Sequence, residues 1–251
     1  MESPSEPATT VFVCTHHRCG TVLMRNVFRR YAALAPAAFF KGDPGEAPAD
    51  ADIVHDAHSR SPVAAAGAGI HLYRDPFDLL LSHIRYHETT TSPSEPPNML
   101  RMKDGRTYGE HLRALPTLSD KAMLEIDTVF GRTLRSMLAW DYDNPNFRNY
   151  PLDLFLDAAT AERVAGEIAD TFPLFAGQRD TLRGAMLHFI VNATHIRDSH
   201  GTRGAGEGRA IELFSPAVIE RMYREFPAIR AVEARLAASP VPGGRDLPSA
   251  P

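Results

Sequence analysis

Lysine is nearly absent from this chain. Only Lys41, Lys103 and Lys121 are lysine among 27 basic residues, and the rest are arginine. Cysteine is limited to Cys14 and Cys19, and tryptophan to Trp140. Two cysteines build neither a disulfide framework nor a four-thiolate zinc site. Cys14 lies inside an apolar run and reads as a small buried apolar residue. No stretch approaches the run of about 18 apolar residues that a membrane-spanning helix needs. The N-terminal MESPSEPATT has no basic segment leading into an apolar one, so no secretory signal is expected. The expectations are therefore a cytoplasmic protein and no membrane partner. Nor is there an excess of positive charge: the formal net charge is −4, which argues against non-specific nucleic-acid binding.

What is present is an ordinary globular composition, 43% hydrophobic and 23% charged, which excludes global disorder and collagen-like repeats. A chain of 251 residues buries a full core. It carries no internal repeat. One domain over residues 10–238 is expected, with loose tails at 1–9 and 239–251. The arginine bias accompanies abundant Ala, Gly and Pro and is mostly compositional. Where an arginine falls in a loop above a helix start, its planar fork also suits an oxyanion.

Thr10 to Cys14 (TVFVC) reads as a buried strand. The loop THHRCGT follows, then a helix over Val22 to Leu34 with an apolar stripe at Leu23, Val27, Tyr31 and Leu34. Residues 36–50 read as loop with short helix. Ile53 to His55 is a short strand, and Gly69 to Tyr73 a stronger one that runs into a helix over Phe77 to Tyr86. Thr89 to Pro97 is loop, and Tyr108 to Trp140 is helical. Asn146 to Phe155 suits a strand and turn. Ala161 to Thr171, Gln178 to Arg197 and Pro216 to Ala237 read as helices, with a Gly-rich loop at Ser199 to Gly208. Strand–helix units in succession predict an α/β fold: a central, mostly parallel sheet flanked by helices.

The first loop has the makings of an anion site. A loop between a buried strand and a helix aims unpaired backbone N–H groups above the helix start, where the dipole favours negative charge. Gly20 permits a positive φ or a close approach. Thr21 can cap the helix and donate to an oxygen, and Arg18 adds a fixed cation. An ordinary capped turn uses the same residues. The nucleoside-triphosphatase loop is not present, because no Gly-Lys pair followed by Ser or Thr occurs.

In the second unit Asp75 is a helix N-cap, Pro76 suits the first helical position and Asp78 lies three residues after the cap. Capping does not account for Arg74, since a cation at a helix N-terminus opposes the dipole unless an anion sits there. Ser82 lies further along the same helix and offers a hydroxyl.

The pair THHRCGT and RDPFDLLLS resembles the PAPS-dependent sulfotransferase family. There the first loop grips the 5′-phosphosulfate, and an Arg-Asp-Pro-x-Asp-x-x-x-Ser motif supplies the Arg and Ser that hold the 3′-phosphate. Arg74, Asp75, Pro76, Asp78 and Ser82 match that second motif in type and spacing. Arg18 stands where many members have Lys, and Cys19 where they have Ser. Arg18 keeps the charge but, with its high pKa, is suited to clamping the transferring sulfuryl group rather than donating a proton. A third family element closes over the 3′-phosphate. It is matched loosely by the segment from Thr202 to Arg209, with Arg203 and Gly204 as first candidates and Arg197 as second. Trp140 and Tyr150 lie where the family often has aromatic residues near the adenine.

Sulfuryl transfer to an alcohol needs a base, and histidine suits it near neutral pH. The family places one in a Lys-Thr-His segment upstream of the Arg-Asp-Pro motif. Asp56-Ala57-His58 falls there, so His58 is the candidate base, His55 the runner-up, and His16 and His17 are further possibilities. Asp56 replaces the family's Lys. His55 and His58 lack further ligands at recognisable spacing, so no metal is expected.

The resemblance thus implies a sulfotransferase-type P-loop fold and transfer of a sulfuryl group from PAPS to a hydroxyl or amine of a small-molecule acceptor, giving PAP. Arg18 and the N–H groups of Cys19, Gly20, Thr21 and Val22 would hold the 5′-phosphosulfate. Arg74, Ser82 and Arg203 would hold the 3′-phosphate. The alternatives are a nucleotide kinase or nucleoside-triphosphatase on a related sheet, and a non-catalytic PAP- or nucleotide-binding module.

Overall fold

Alternation in the first apolar run organises the sheet. In β1 (Val11–Cys14) all four residues are buried; Val11 and Val13 join one hydrophobic cluster, Phe12 and Cys14 another. A strand covered on both faces is the signature of a parallel sheet. In this computed structural model, which describes residues 10–59, 61–91, 93, 95–191 and 209–239, β1 is the centre of a five-stranded sheet. Its partners are β2 (Phe39–Lys41), β3 (Ile53–Asp56), β4 (Ala68–Tyr73) and β5 (Phe147–Pro151), in the order β2-β3-β1-β4-β5. All four pairings are parallel, so the predicted mostly parallel sheet is wholly so among the described residues.

The contacts divide the chain into two compact units. One comprises Met1–Arg74, Ala139–Ala193 and Ala237–Pro251, and holds the sheet. The other comprises Asp75–Leu138 and Thr194–Leu236, and its described elements are helical.

In the first unit, α1 (Thr21–Leu34), α8 (Ala158–Thr171) and α9 (Arg179–Val191) bury Val27, Phe28, Tyr31, Val164, Ile168 and Met186 against one sheet face. On the other face Phe12, Cys14, Val54 and Phe147 pack with Ala64 of the short α2 (Pro62–Ala65). The chain passes from β1 outward to β2 and β3, then crosses to β4 on the other side of β1. This reversal puts a switch point at the carboxyl ends of β1 and β4, the usual place for a ligand in an open α/β sheet.

The second unit opens with α3 (Pro76–Thr89). Asp75 caps it as expected, accepting from the N–H groups of Phe77 (2.9 Å) and Asp78 (3.0 Å), with proline at the first helical position. The helix expected over Tyr108 to Trp140 is three helices, preceded by a short α4 (Pro96–Met99): α5 (Tyr108–Ala114), α6 (Leu118–Asp127) and α7 (Val129–Leu138). Pro116 disfavours helical geometry at Leu115, where α5 ends. Thr107 and Thr117 then start α5 and α6 as side-chain caps. The expected last helix is likewise broken at Pro227, into α10 (Pro216–Glu225) and α11 (Ile229–Ala238). Within this unit His83 and His87, one turn apart on α3, flank the buried Glu125: His87 Nδ1 lies 2.5 Å and His83 Nδ1 3.7 Å from its carboxylate. Burial alone would raise the Glu125 pKa, but the nearby His83 and the hydrogen bond with His87 outweigh it and hold the carboxyl at about 2.

Candidate anion site at the carboxyl edge of the sheet

The loop after β1 is tied into a single shape by its own backbone. The His16 carbonyl accepts from the Cys19 N–H (2.8 Å) and from Thr21 Oγ1 (2.9 Å). Thr15 Oγ1 in turn donates to Thr21 Oγ1 (3.1 Å). Two consequences differ from the sequence-based expectation. Thr21 is the first helical residue rather than the cap, and its hydroxyl proton is used inside the loop. The Cys19 N–H is used there too, which leaves the N–H groups of Gly20, Thr21 and Val22 as the donors of the helix start. Gly20 is the N-cap, at φ +81°, and no side chain caps α1. A Cβ on Gly20 would stand 2.7 Å from Leu152 Cδ1, so both the backbone angle and the space require glycine.

Arg18 also has a positive φ, +66°. Ser59 (φ +50°), in the loop after β3, is the other non-glycine residue in that region among the described residues. Both belong to loops at the carboxyl ends of adjacent strands, and Ser59 Oγ donates to the Thr15 carbonyl (2.8 Å), tying the two loops together. Strained backbone held in place by its surroundings is characteristic of functional sites.

Arg74 ends β4 beside this loop. It is 5% exposed, and its Nη1 donates to the Arg18 carbonyl (3.2 Å). Its Nε is buried with no hydrogen-bond partner among the described residues. A buried guanidinium with donors to spare calls for an anion. Cys19, also buried, is a poor nucleophile: burial pushes its thiol up to about 12, against the opposing pull of Arg74 and Arg18. Burial raises Cys14 as well, with Asp56 adding to it.

The histidines divide into different environments. His58 is exposed, on the turn after β3, where Asp56 holds the backbone: its carboxylate accepts from the N–H groups of His58 (2.9 Å), Ser59 (3.0 Å) and Ser61 (3.3 Å). Asp56 is thus a turn-forming residue. His55 is buried in β3 with Nε2 3.3 Å from Thr15 Oγ1. Burial, then Lys41, Arg25 and His58, lower it to about 3, which makes it a weak base near neutral pH.

His16 is buried and its Nε2 lies 2.9 Å from Nε2 of His71 on β4. His71 Nδ1 lies 2.9 Å from Asn149 Oδ1 on β5, and that oxygen also accepts from Trp140 Nε1 (2.9 Å). The His71 ring stacks on Trp140, centroids 4.1 Å apart and 11° from parallel. One face of Trp140 is therefore covered by His71, and Tyr150 is buried in the main core. Sequence reasoning missed His71 and Asn149, which the sheet order brings to His16 from distant parts of the chain.

Ser82 is buried on α3 in the second unit. Arg197, Arg203 and Gly204 lie outside the described residues. Among the described residues, no helix is long and apolar enough to cross a membrane.

No protein-family profile matches the chain, and no curated protein matches it in sequence. Among solved structures, the fold is similar to that of a mouse sulfotransferase, SULT7A1, complexed with PAP. The TM-score is 0.58 and the identity 13%, over 93% of this chain and 90% of that one. At that identity the likeness establishes the α/β fold with its five-stranded parallel sheet.

Proposed function

We propose that the chain is a PAPS-dependent sulfotransferase, moving a sulfuryl group from PAPS to a hydroxyl or amine of a small molecule and releasing PAP. The observation that carries this reading is Arg74: a buried cation with an unmet donor, at the switch point of a sheet whose fold matches a PAP-bound sulfotransferase. The residues present fit an anionic nucleotide. The start of α1 offers the N–H groups of Gly20, Thr21 and Val22 without a competing side-chain cap, and Arg18 adds charge. These groups bind the 5′-phosphosulfate, and Arg18 balances charge as the sulfuryl group transfers. Arg74 takes the 3′-phosphate, joined in the family pattern by Ser82 and by Arg203, Gly204 or Arg197. Catalysis then rests on positioning and charge stabilisation, as in phosphoryl transfer, with a histidine accepting the acceptor's proton. His58 is the base that the family pattern points to.

Thermal unfolding with PAP, ATP and AMP tests the reading. Ligand at 100 times its Kd adds about 2.7 kcal/mol, a shift of several degrees in a chain of this size. PAP is expected to stabilise the protein most. Stabilisation by ATP but not by PAP would favour a nucleotide kinase.

A further inference from the structure

The sheet order assigns the two sides of the anion loop differently. Arg74 follows β4, on one side of β1, and takes the 3′-phosphate in the reading above. The transferring sulfuryl group lies over the loop after β1. The side that the nucleotide leaves is that of β3 and β2, where His58, the candidate base, also stands.

That side gathers cations. Lys41, the last residue of β2, pairs with His55 of β3, so the two side chains leave the sheet on the same face. It is the face that α1 covers, because Ile53, two residues before His55, packs in one cluster with Val27 and Phe28. Arg25 reaches the same place from α1. It lies one turn after Thr21 on the same helix face, and Thr21 is bonded through Thr15 to His55. The charges act there together: beyond burial, Lys41, Arg25 and His58, in that order, lower the His55 pKa to about 3.

Lys41 is exposed and Arg25 half-buried, so both are open to solvent. Arg25 Nε donates to Asn26 Oδ1 (3.3 Å), and among the described residues neither cation meets a carboxylate. α1 itself (TVLMRNVFRRYAAL) holds three arginines and no acid. The acids of the adjoining loops hold backbone instead. Asp43 accepts from the Gly45 N–H (2.9 Å), and Asp56 from the turn after β3. On α8 and α9, by contrast, Arg163, Arg179 and Arg183 each meet a carboxylate. Like charges gathered without counter-ions attract an anionic ligand and raise its local concentration.

We propose that Arg25 and Lys41 bind an anionic group of the acceptor, so that the acceptor class is a small hydroxy or amino compound carrying a carboxylate, sulfate or phosphate. The inference rests on the sulfuryl-transfer reading above and adds the acceptor class to it. β2 lies two strand spacings from β1, about 10 Å, which bounds the span between the anionic group and the atom that receives sulfur. His58 follows β3, the strand between them. A neutral acceptor of the same shape lacks this anchor.

Sulfate stands in for the anionic group and reads the site without an acceptor. Nitrogen-15 NMR at constant ionic strength follows the amides of Arg25, Lys41 and His58 as sulfate is added, without PAP and with PAP at saturation. A saturable shift with the same midpoint in both is expected. Arg25→Gln/Lys41→Gln should raise that midpoint about 10-fold, and Arg25→Lys/Lys41→Arg, which keeps both charges, should not. No saturable shift, or an unchanged midpoint in the Gln pair, overturns the proposal. Displacement of the sulfate by PAP gives the cations to the nucleotide and also overturns it.

Acceptor choice is read as PAP release with N-acetyltyrosine and with glucuronate, each against its methyl ester. The acids are expected to exceed the esters in kcat/KM by about 10-fold, and Arg25→Gln/Lys41→Gln should abolish the difference. Esters as fast as the acids, or no release with either acid, overturn the acceptor class. A protein that binds no PAP loses the sulfuryl-transfer reading and the acceptor class with it, while the sulfate arm still decides whether Arg25 and Lys41 hold an anion.

Discussion

Arg74 Nη1 donates to the backbone carbonyl of Arg18 (3.2 Å), so one arginine of the site orients the backbone of another. The carbonyl occupies one of the five guanidinium donors, and the buried Nε is left for a ligand. Replacing Arg74 by Met should weaken PAP binding by about 2–5 kcal/mol, the range for losing a buried charge-assisted contact. The ligand-free protein should unfold at the same or a higher temperature, because a buried cation without a counter-ion among the described residues is removed. Titration calorimetry and thermal unfolding of the one variant check both halves.

Gly20 ties the loop to the core. Gly20→Ala should cost about 1–3 kcal/mol, from the positive φ and from the contact its Cβ would make with Leu152. PAP affinity should fall as well, because the displaced residue supplies an N–H of the helix start. Denaturant unfolding and PAP titration measure the two effects.

Acid should destabilise the sheet-bearing unit before the ordinary carboxylate range is reached. His55 has a folded pKa of about 3 against an ordinary 6.5, and His71 is lowered in the same direction. A lowered histidine pKa means that the unfolded chain binds the proton first. Stability is therefore complete above pH 6.5 and falls as the pH drops from there toward 3. For His55 the loss is about 1.4 kcal/mol per pH unit, and His71 adds to it in the same direction. His55→Asn should flatten part of that slope in denaturant titrations between pH 7 and 4.

Glu125 makes a separate contribution in the helical unit. Its depressed pKa stabilises the fold above about pH 4.5, and that contribution is lost as the pH falls toward 2. Glu125→Leu removes the carboxylate that His87 Nδ1 meets at 2.5 Å and should cost about 3 kcal/mol at pH 7. Equilibrium unfolding in urea checks it.

Elements with a local signal were legible in the sequence. The continuous apolar run of β1, the stripe of α1 at Leu23, Val27 and Tyr31 and the Asp75-Pro76 start of α3 each carry their own cause within a few residues, whereas Leu34, expected on the stripe, is 58% exposed. β2 does not: Phe39–Lys41 is too short to show a period, and it is a strand because β3 pairs with it. The breaks at Pro116 and Pro227 were readable as prolines but were overridden by the helical pattern around them. In the site, Arg18, Gly20 and Arg74 were visible because a strand–loop–helix places them by chain order alone. The partners of His16 were not, since His71 and Asn149 reach it only through the order β1-β4-β5. His83 and His87 were not singled out, because nothing in the chain order points from them to Glu125.

A crystal structure with PAP bound tests the central claim most directly. The account predicts the 5′-phosphate on the N–H groups of Gly20, Thr21 and Val22 beside Arg18, and the 3′-phosphate on Arg74 Nε. PAP bound away from the loop after β1, or an Arg74 that touches no phosphate, would contradict it.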